Sequence, residues 1–99
     1  MSRRANRKDA NHGRIVRTLR QIGAHVIDTA VAPQLGFDLL VVFRGRVYFI
    51  EVKDGSKPPC ERQLTEGERA QQAALSLHDV AYHVVLSEDE ALKVIGAIA

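Results

Sequence analysis

Two short apolar runs, residues 39–43 and 47–52, flank Arg44-Gly45-Arg46 and constrain this chain more than anything else in it. Valine, isoleucine, leucine, phenylalanine and tyrosine on either side of a glycine-bearing turn predict a β-hairpin. Three charged groups interrupt its apolar texture. Asp38 opens the first strand, and Glu51 and Lys53 close the second. Successive strand residues alternate faces, so Glu51 and Lys53 point the same way, about 6–7 Å apart along the strand.

Simple register arithmetic places the third group. A two-residue turn at Arg44-Gly45, or a four-residue loop from Phe43 to Arg46, pairs residues whose numbers sum to 89. Asp38 then lies opposite Glu51, and directly opposite residues share a face. A three-residue loop without a bulge would separate them. The expected hairpin therefore gathers two carboxylates and an ammonium at one end.

Such a cluster needs a physical reason. Two carboxylates about 4–5 Å apart repel by roughly 3–4 kcal/mol at an effective dielectric near 20. Protonation of one, a neighbouring lysine, or a cation between them relieves that repulsion. All-oxygen ligation suits a hard ion, and Mg²⁺ takes one or two carboxylates while keeping several waters. Lys53 beside such an ion is placed to contact a phosphate oxygen and stabilise developing charge. These residue types are the equipment of metal-assisted phosphodiester hydrolysis. The competing interpretation is structural: Glu-x-Lys on a strand is commonly a solvated ion pair, and Asp38 alone serves as a turn residue after Gly36.

The order Asp38, strand, turn, strand, Glu51-Val52-Lys53 resembles the signature of the PD-(D/E)XK nuclease superfamily. It is most similar to the small VRR-NUC and Holliday-junction-resolvase-like members, short versions of which are commonly encoded by phages. The resemblance runs from about Asp9 to Ile98 and takes in Gly23, Gly36-Phe37-Asp38, the segment from Glu51 to Gly55, and Leu64-Thr65. It implies a restriction-endonuclease-like α/β fold, a mixed sheet flanked by helices in the order α-β-β-β-α-β-α. It also implies Mg²⁺ or Mn²⁺ as cofactor, Asp38 and Glu51 as metal ligands, and Lys53 as the catalytic lysine. Further implications are double-stranded or branched DNA as partner, a homodimer, and the cytoplasm of a bacterial cell or phage-infected host. Two positions depart from the family pattern. Phe37 stands where proline usually precedes the aspartate, and Asn11 and His12 occupy the first-helix turn where many members carry a metal-binding glutamate.

Ninety-nine residues suit one domain, here 9–99, preceded by a basic arm over 1–8. The formal net charge is only +2, yet Arg3, Arg4, Arg7, Lys8, Arg14, Arg17 and Arg20 place half of all Lys and Arg in the first twenty residues. That asymmetry suits a phosphate backbone. Arg3, Arg4, Arg7, Lys8, Arg14, Lys57 and Arg62 are accordingly the candidate nucleic-acid contacts, with a solvated helix face as the bland alternative. Cys60 is the only cysteine, which excludes an internal disulfide and fits a reducing compartment. No apolar run reaches the roughly 18 residues of a membrane span, so no membrane partner is expected. The four histidines lack zinc spacing, and no phosphate-cradling glycine loop or nucleophile elbow occurs.

In chain order, Ile15, Val16, Leu19 and Ile22 predict a helix from Asp9 to Ile22 ending at Gly23. His12 falls on its buried side. Asn11 and His12 are accessory candidates in a structural or substrate-orienting role. A strand over 24–31 and a loop carrying Gln34, a further candidate at the groove, lead to Asp38. The turn-rich segment 54–59 ends the hairpin. Thr65 and Glu68 form a capping box that opens a helix to His78, with Ala70, Ala73, Ala74 and Leu77 expected to pack on the sheet. A strand over 80–86, parallel to the Glu51 strand, precedes a last helix opened by Ser87 and Glu90, with Ala91, Leu92, Ile95 and Ile98 inward. The whole predicts a metal-dependent DNA endonuclease, structure-selective for branched or junction DNA. The alternatives are a catalytically weakened nucleic-acid-binding module on the same fold and a hairpin whose charges are merely structural.

Overall fold

A computed structural model describes residues 9–99; the arm with Arg3, Arg4, Arg7 and Lys8 lies outside the described residues. The hairpin sets the architecture. Strand β2 (Leu39–Phe43) and strand β3 (Arg46–Val52) pair antiparallel, with Leu39 opposite Ile50 and Phe43 opposite Arg46, so partners do sum to 89. The turn has two residues, Arg44 at φ 51° and Gly45 at φ 79°. Two left-handed residues in succession are the type I′ geometry, whose twist matches that of the strands. The Arg44 guanidinium makes a cation–π contact, lying 4.8 Å from the Phe43 ring centroid.

Around the hairpin the order is helix α1 (His12–Gln21), strand β1 (His25–Asp28), β2, β3, helix α2 (Glu66–Leu77), strand β4 (Tyr82–Val85) and helix α3 (Glu88–Val94). The sheet order is β1-β2-β3-β4; β1 is antiparallel to β2, and β4 is parallel to β3. This is a mixed α/β fold with an open four-stranded sheet and three helices, and the expected β-α-β crossover places β4 beside the Glu51 strand. Single 3-10 turns at Pro33–Leu35 and Pro59–Glu61 lead into the hairpin and α2 respectively. Among the described residues, no helix is long and apolar enough to cross a membrane.

One sheet face carries the core. Val26, Leu39, Val41, Ile50, Val52 and Val85 pack against Ile15, Val16 and Leu19 of α1 and against Ala91 and Ile95 at α3. Many of these are fully excluded from solvent, and each buried Leu or Ile contributes about 1.5–3 kcal/mol. The opposite face presents Asp38, Glu51 and Lys53 at one end. It also leaves Ile27, Val47 and Val84 exposed.

Several sequence expectations are corrected. Strand β1 stops at Asp28 rather than residue 31, because the Asp28 carboxylate accepts a hydrogen bond from the Ala30 amide (3.1 Å), an Asx-type turn that competes with the ladder. Helix α1 starts at His12, not Asp9; Asn11 stands at its N-cap position but gives its side chain to distant carbonyls instead of capping. Helix α2 does not seat its alanine stripe: Ala70, Ala73, Ala74 and Leu77 are exposed, Leu77 at 83%. Its inward side is Glu68, Gln71 and Leu75, and Gly36 approaches so closely that a Cβ there would lie 2.9 Å from the Gln71 Cβ and 3.0 Å from the Gly67 carbonyl oxygen. Helix α3 ends before Ile98, which is 41% exposed; Gly96 at φ 78° closes it. Only half of its capping box forms: the Ser87 hydroxyl accepts from the Glu90 amide (3.2 Å), while Glu90 accepts from the Leu86 amide (2.8 Å).

Candidate active site

Asp38, Glu51 and Lys53 converge at the end of the hairpin, on the face that α1 and α3 do not cover. Asp38 lies just before β2, and its backbone amide donates to the carbonyl of Ile50 (3.0 Å), the residue that Leu39 already faces, so the contact is one residue out of the hairpin register. Its carboxylate accepts from the Val52 amide (2.9 Å), which holds it beside the Glu51 carboxyl. Glu51 is only 2% exposed. Lys53 places its Nζ 3.4 Å from Glu51 Oε2 and 3.0 Å from Glu68 Oε1.

Glu68 is the member that sequence reasoning missed. Its pattern with Thr65 explains it fully as a capping residue, and the capping box is present: the Thr65 amide donates to Glu68 Oε1 (2.8 Å), and the Glu68 amide donates to the Thr65 hydroxyl (3.2 Å). The same oxygen also accepts from Lys53. The available signal was Lys53 itself, a half-buried ammonium in need of a counter-ion beyond a crowded Glu51. Tyr82 is a second omission. Its hydroxyl donates to the Gly36 carbonyl (2.6 Å) and lies 3.5 Å from Glu51 Oε1. Register could have found it, because Tyr82 pairs with Phe49 on the face that Glu51 shares.

Electrostatics sort the four charged groups into two kinds. Burial, the Glu68 contact and the nearby Asp38 charge push the Glu51 carboxyl up to about 10, so at neutral pH it keeps its proton. Burial likewise raises Asp38, opposed by the Val52 amide and the Glu51 hydrogen bond. Glu68 is held below its usual value because its hydrogen bonds from Glu51, Thr65 and Lys53 outweigh its burial. Lys53 is raised by the Glu68 hydrogen bond and the two carboxylates, against its own desolvation. The result is an ionised Glu68–Lys53 pair beside a protonated Glu51. Burial and the same carboxylates push the Tyr82 phenol well above its ordinary value, so it stays a hydrogen-bond donor.

The accessory candidates are less central. Asn11 is 3% exposed and donates to the Lys53 (3.1 Å) and Leu86 (2.8 Å) carbonyls, tying the ends of β3 and β4 to α1. His12 is 2% exposed, with Nε2 3.1 Å from Asp28 Oδ2, and its field also reaches Asp38. Both are structural members of the site's rear wall. Gln34 is exposed on its 3-10 turn and is not among the side chains that meet the cluster. Arg14 and Lys57 are exposed, pair with Glu88 (3.3 Å) and Asp9 (3.4 Å), and both act on Asp54, just past Lys53. Arg62 is half-buried beside the start of α2.

The donor set fits a hard divalent cation. A buried carboxyl that keeps its proton next to a second carboxyl is a place where a cation can replace that proton, and two carboxylates with water complete the shell that Mg²⁺ prefers. Among the described residues, no three His, Cys, Asp or Glu side chains form a ready-made metal cage. Asp38 and Glu51 are therefore the residues that would hold the ion. No protein-family model, curated protein or solved structure matches this chain.

Proposed function

We propose that this protein is a Mg²⁺- or Mn²⁺-dependent DNA endonuclease of the PD-(D/E)XK type, built on a restriction-endonuclease-like fold and selective for branched or junction DNA. The observation that carries the reading is the convergence of Asp38, buried Glu51 and Lys53 at one hairpin end, since a buried carboxyl pair is costly unless it serves a cation. The cation, when bound, supplies a water of lowered pKa and positive charge at the phosphate. Asp38 and Glu51 hold it, the Val52 amide fixes Asp38, and Tyr82 limits the freedom of Glu51. Lys53 donates to a phosphate oxygen and stabilises charge as the phosphodiester is attacked. Arg14 and Lys57, with the basic arm, contribute salt-dependent backbone contacts. The proposal places the protein in the cytoplasm of a bacterial or phage-infected cell. It also includes a homodimer, supported by the bare apolar groups Ile27, Val47, Val84 and Leu77.

A second reading, a nucleic-acid-binding module with weakened catalysis, is favoured by one observation: the first helix contributes no acid, and its Asn11 carboxamide is spent on two carbonyls. Incubating wild type and Glu51→Ala with branched, flapped and linear DNA in Mg²⁺, Mn²⁺ or EDTA decides between them. Cutting that requires metal and vanishes in the variant is expected. DNA binding without cutting selects the module, and neither activity leaves the charges structural.

A further inference from the structure

We propose that Glu68 is the positioning residue for Lys53, so that the helix after the hairpin, and not the first helix, supplies the acid that completes this site. The inference rests on the nuclease reading and names a residue that the motif does not contain. Lysine is a flexible point charge on a four-carbon stem, and its reach is useful only if a neighbour fixes its direction. Two carboxyl groups contact it here, Glu51 at 3.4 Å and Glu68 at 3.0 Å. Glu51 is the group that would commit its oxygens to a cation. Glu68 is then the acceptor left to hold the amine.

Glu68 is itself held rigidly enough for the task. Its Oε1 accepts from the Thr65 amide as well as from Lys53, so the helix cap fixes the carboxylate that fixes the amine. The first turn of α2 is seated in turn against the lead-in to Asp38, because Gly67 and Gln71 meet Gly36 at distances that exclude a side chain there. Tyr82 closes the circuit by donating to the Gly36 carbonyl. A line of contacts therefore runs from the Asp38 segment through α2 to the Lys53 amine. The first-helix position contributes no carboxylate to it.

Two measurements on the full chain test this, one of them independent of cleavage. In EDTA, reductive methylation followed by peptide mass spectrometry reads the reactivity of each lysine, with exposed Lys57 and Lys93 as internal references. Lys53 is expected to react several-fold faster in Glu68→Ala than in wild type, with Lys57 and Lys93 unchanged. In cleavage assays with Mg²⁺, Glu68→Ala is expected to lower kcat about 10–100-fold, the scale of a misplaced group, with KM within twofold. Glu68→Gln, which keeps an acceptor for the Thr65 amide, falls between. Thr65→Ala weakens the same cap but leaves the carboxylate, and is expected to stay within about threefold of wild type. Equal losses in Thr65→Ala and Glu68→Ala would reduce Glu68 to a cap and overturn the proposal, as would unchanged Lys53 labelling in Glu68→Ala. A wild type that cuts no DNA defeats the nuclease reading, and the labelling comparison still decides whether Glu68 holds the amine.

Discussion

The proton on Glu51 makes the metal-free protein's stability depend on pH in an uncommon direction. Unfolded, the carboxyl titrates near 4.5; folded, it is pushed up to about 10 by burial and by its carboxylate neighbours. Its folded-state value is raised, so its stabilising contribution is complete below about pH 4.5 and is lost as pH rises toward 10. Each pH unit in that interval costs about 1.36 kcal/mol, because the folded state must retain a proton that the unfolded chain has released. Between pH 7.5 and 9 the loss is about 2 kcal/mol, worth roughly 8–16 °C of melting temperature in a domain this small. Burial raises Asp38 as well, while Glu68, Asp54 and His83 contribute little slope there. Glu68 and Asp54 are lowered, so their stabilisation is present above about pH 4 and constant by neutrality. His83 is lowered by burial, and the stability it gains with rising pH is complete once the unfolded imidazole has lost its proton near 6.5.

The assay is urea unfolding in EDTA across pH 7.5–9 for wild type and Glu51→Gln, whose amide imitates the protonated acid. Wild type is expected to lose about 2 kcal/mol over the interval while the variant stays flat. Saturating Mg²⁺ should flatten the wild-type trend, since the ion replaces the proton and its affinity should rise up to tenfold per pH unit, which offsets the loss. Parallel curves for the two proteins in EDTA would show Glu51 ionised in the fold and refute the reasoning.

Gly36→Ala combines a left-handed backbone (φ 79°) with a Cβ set against the Gly67 carbonyl oxygen and Gln71; a loss of about 2–4 kcal/mol by denaturant titration is expected, and a loss under about 0.5 would contradict the close approach. Asn11→Ala removes hydrogen bonds to the Lys53 and Leu86 carbonyls from a buried position, with an expected cost of about 2–3 kcal/mol in the same titration. Lys53→Met leaves Glu68 with its cap and the Glu51 contact; about 1–3 kcal/mol is lost, and amide hydrogen exchange should quicken in the first turns of α2 while α1 is unchanged. Leu77→Glu should lower the association constant of any dimer in sedimentation equilibrium and leave the monomer's melting temperature within a degree or two, because Leu77 touches little of its own chain.

The parts of this structure legible in the sequence are those fixed by local periodicity. Alternation and a glycine at the turn determine the hairpin register from Leu39–Ile50 to Phe43–Arg46, and that register brings Asp38 beside the end of β3 that carries Glu51. Capping patterns locate the starts of α2 and α3 to a residue. What stayed hidden depends on one side chain serving two partners. Glu68 satisfies a local rule so completely that nothing in the string asks for a second use, and only the folded position of Lys53 reveals it. Helix α2 misleads for a related reason. Its alanines and Leu77 trace an apolar stripe, but the helix is turned so that Glu68 meets Lys53 and Gln71 meets Gly36. Specific polar contacts outweigh a weakly apolar face whose alanines bury little area. Asp28 shortens β1 through its own side chain, a competition that propensity alone does not resolve.

The two sides of the sheet therefore divide the work. On one side α1 and α3 enclose a core in which Ile15, Leu19, Leu39, Val41, Ile50 and Val85 lose all solvent contact, and most of the folding free energy arises there. On the other, α2 buries none of its own residues and is attached through an ion pair, a glycine contact and the loop that Tyr82 secures. An end lined by carboxyl groups cannot be filled with apolar side chains without neutralising the chemistry it carries, so stability has to come from the opposite face. A helix fastened by charge also responds to charge: whatever binds at Asp38 and Glu51 alters the field at Lys53 and, through Glu68, the seating of α2. The same physical links that leave this side thinly covered thus connect occupancy of the carboxylate pair to the position of the amine beside it.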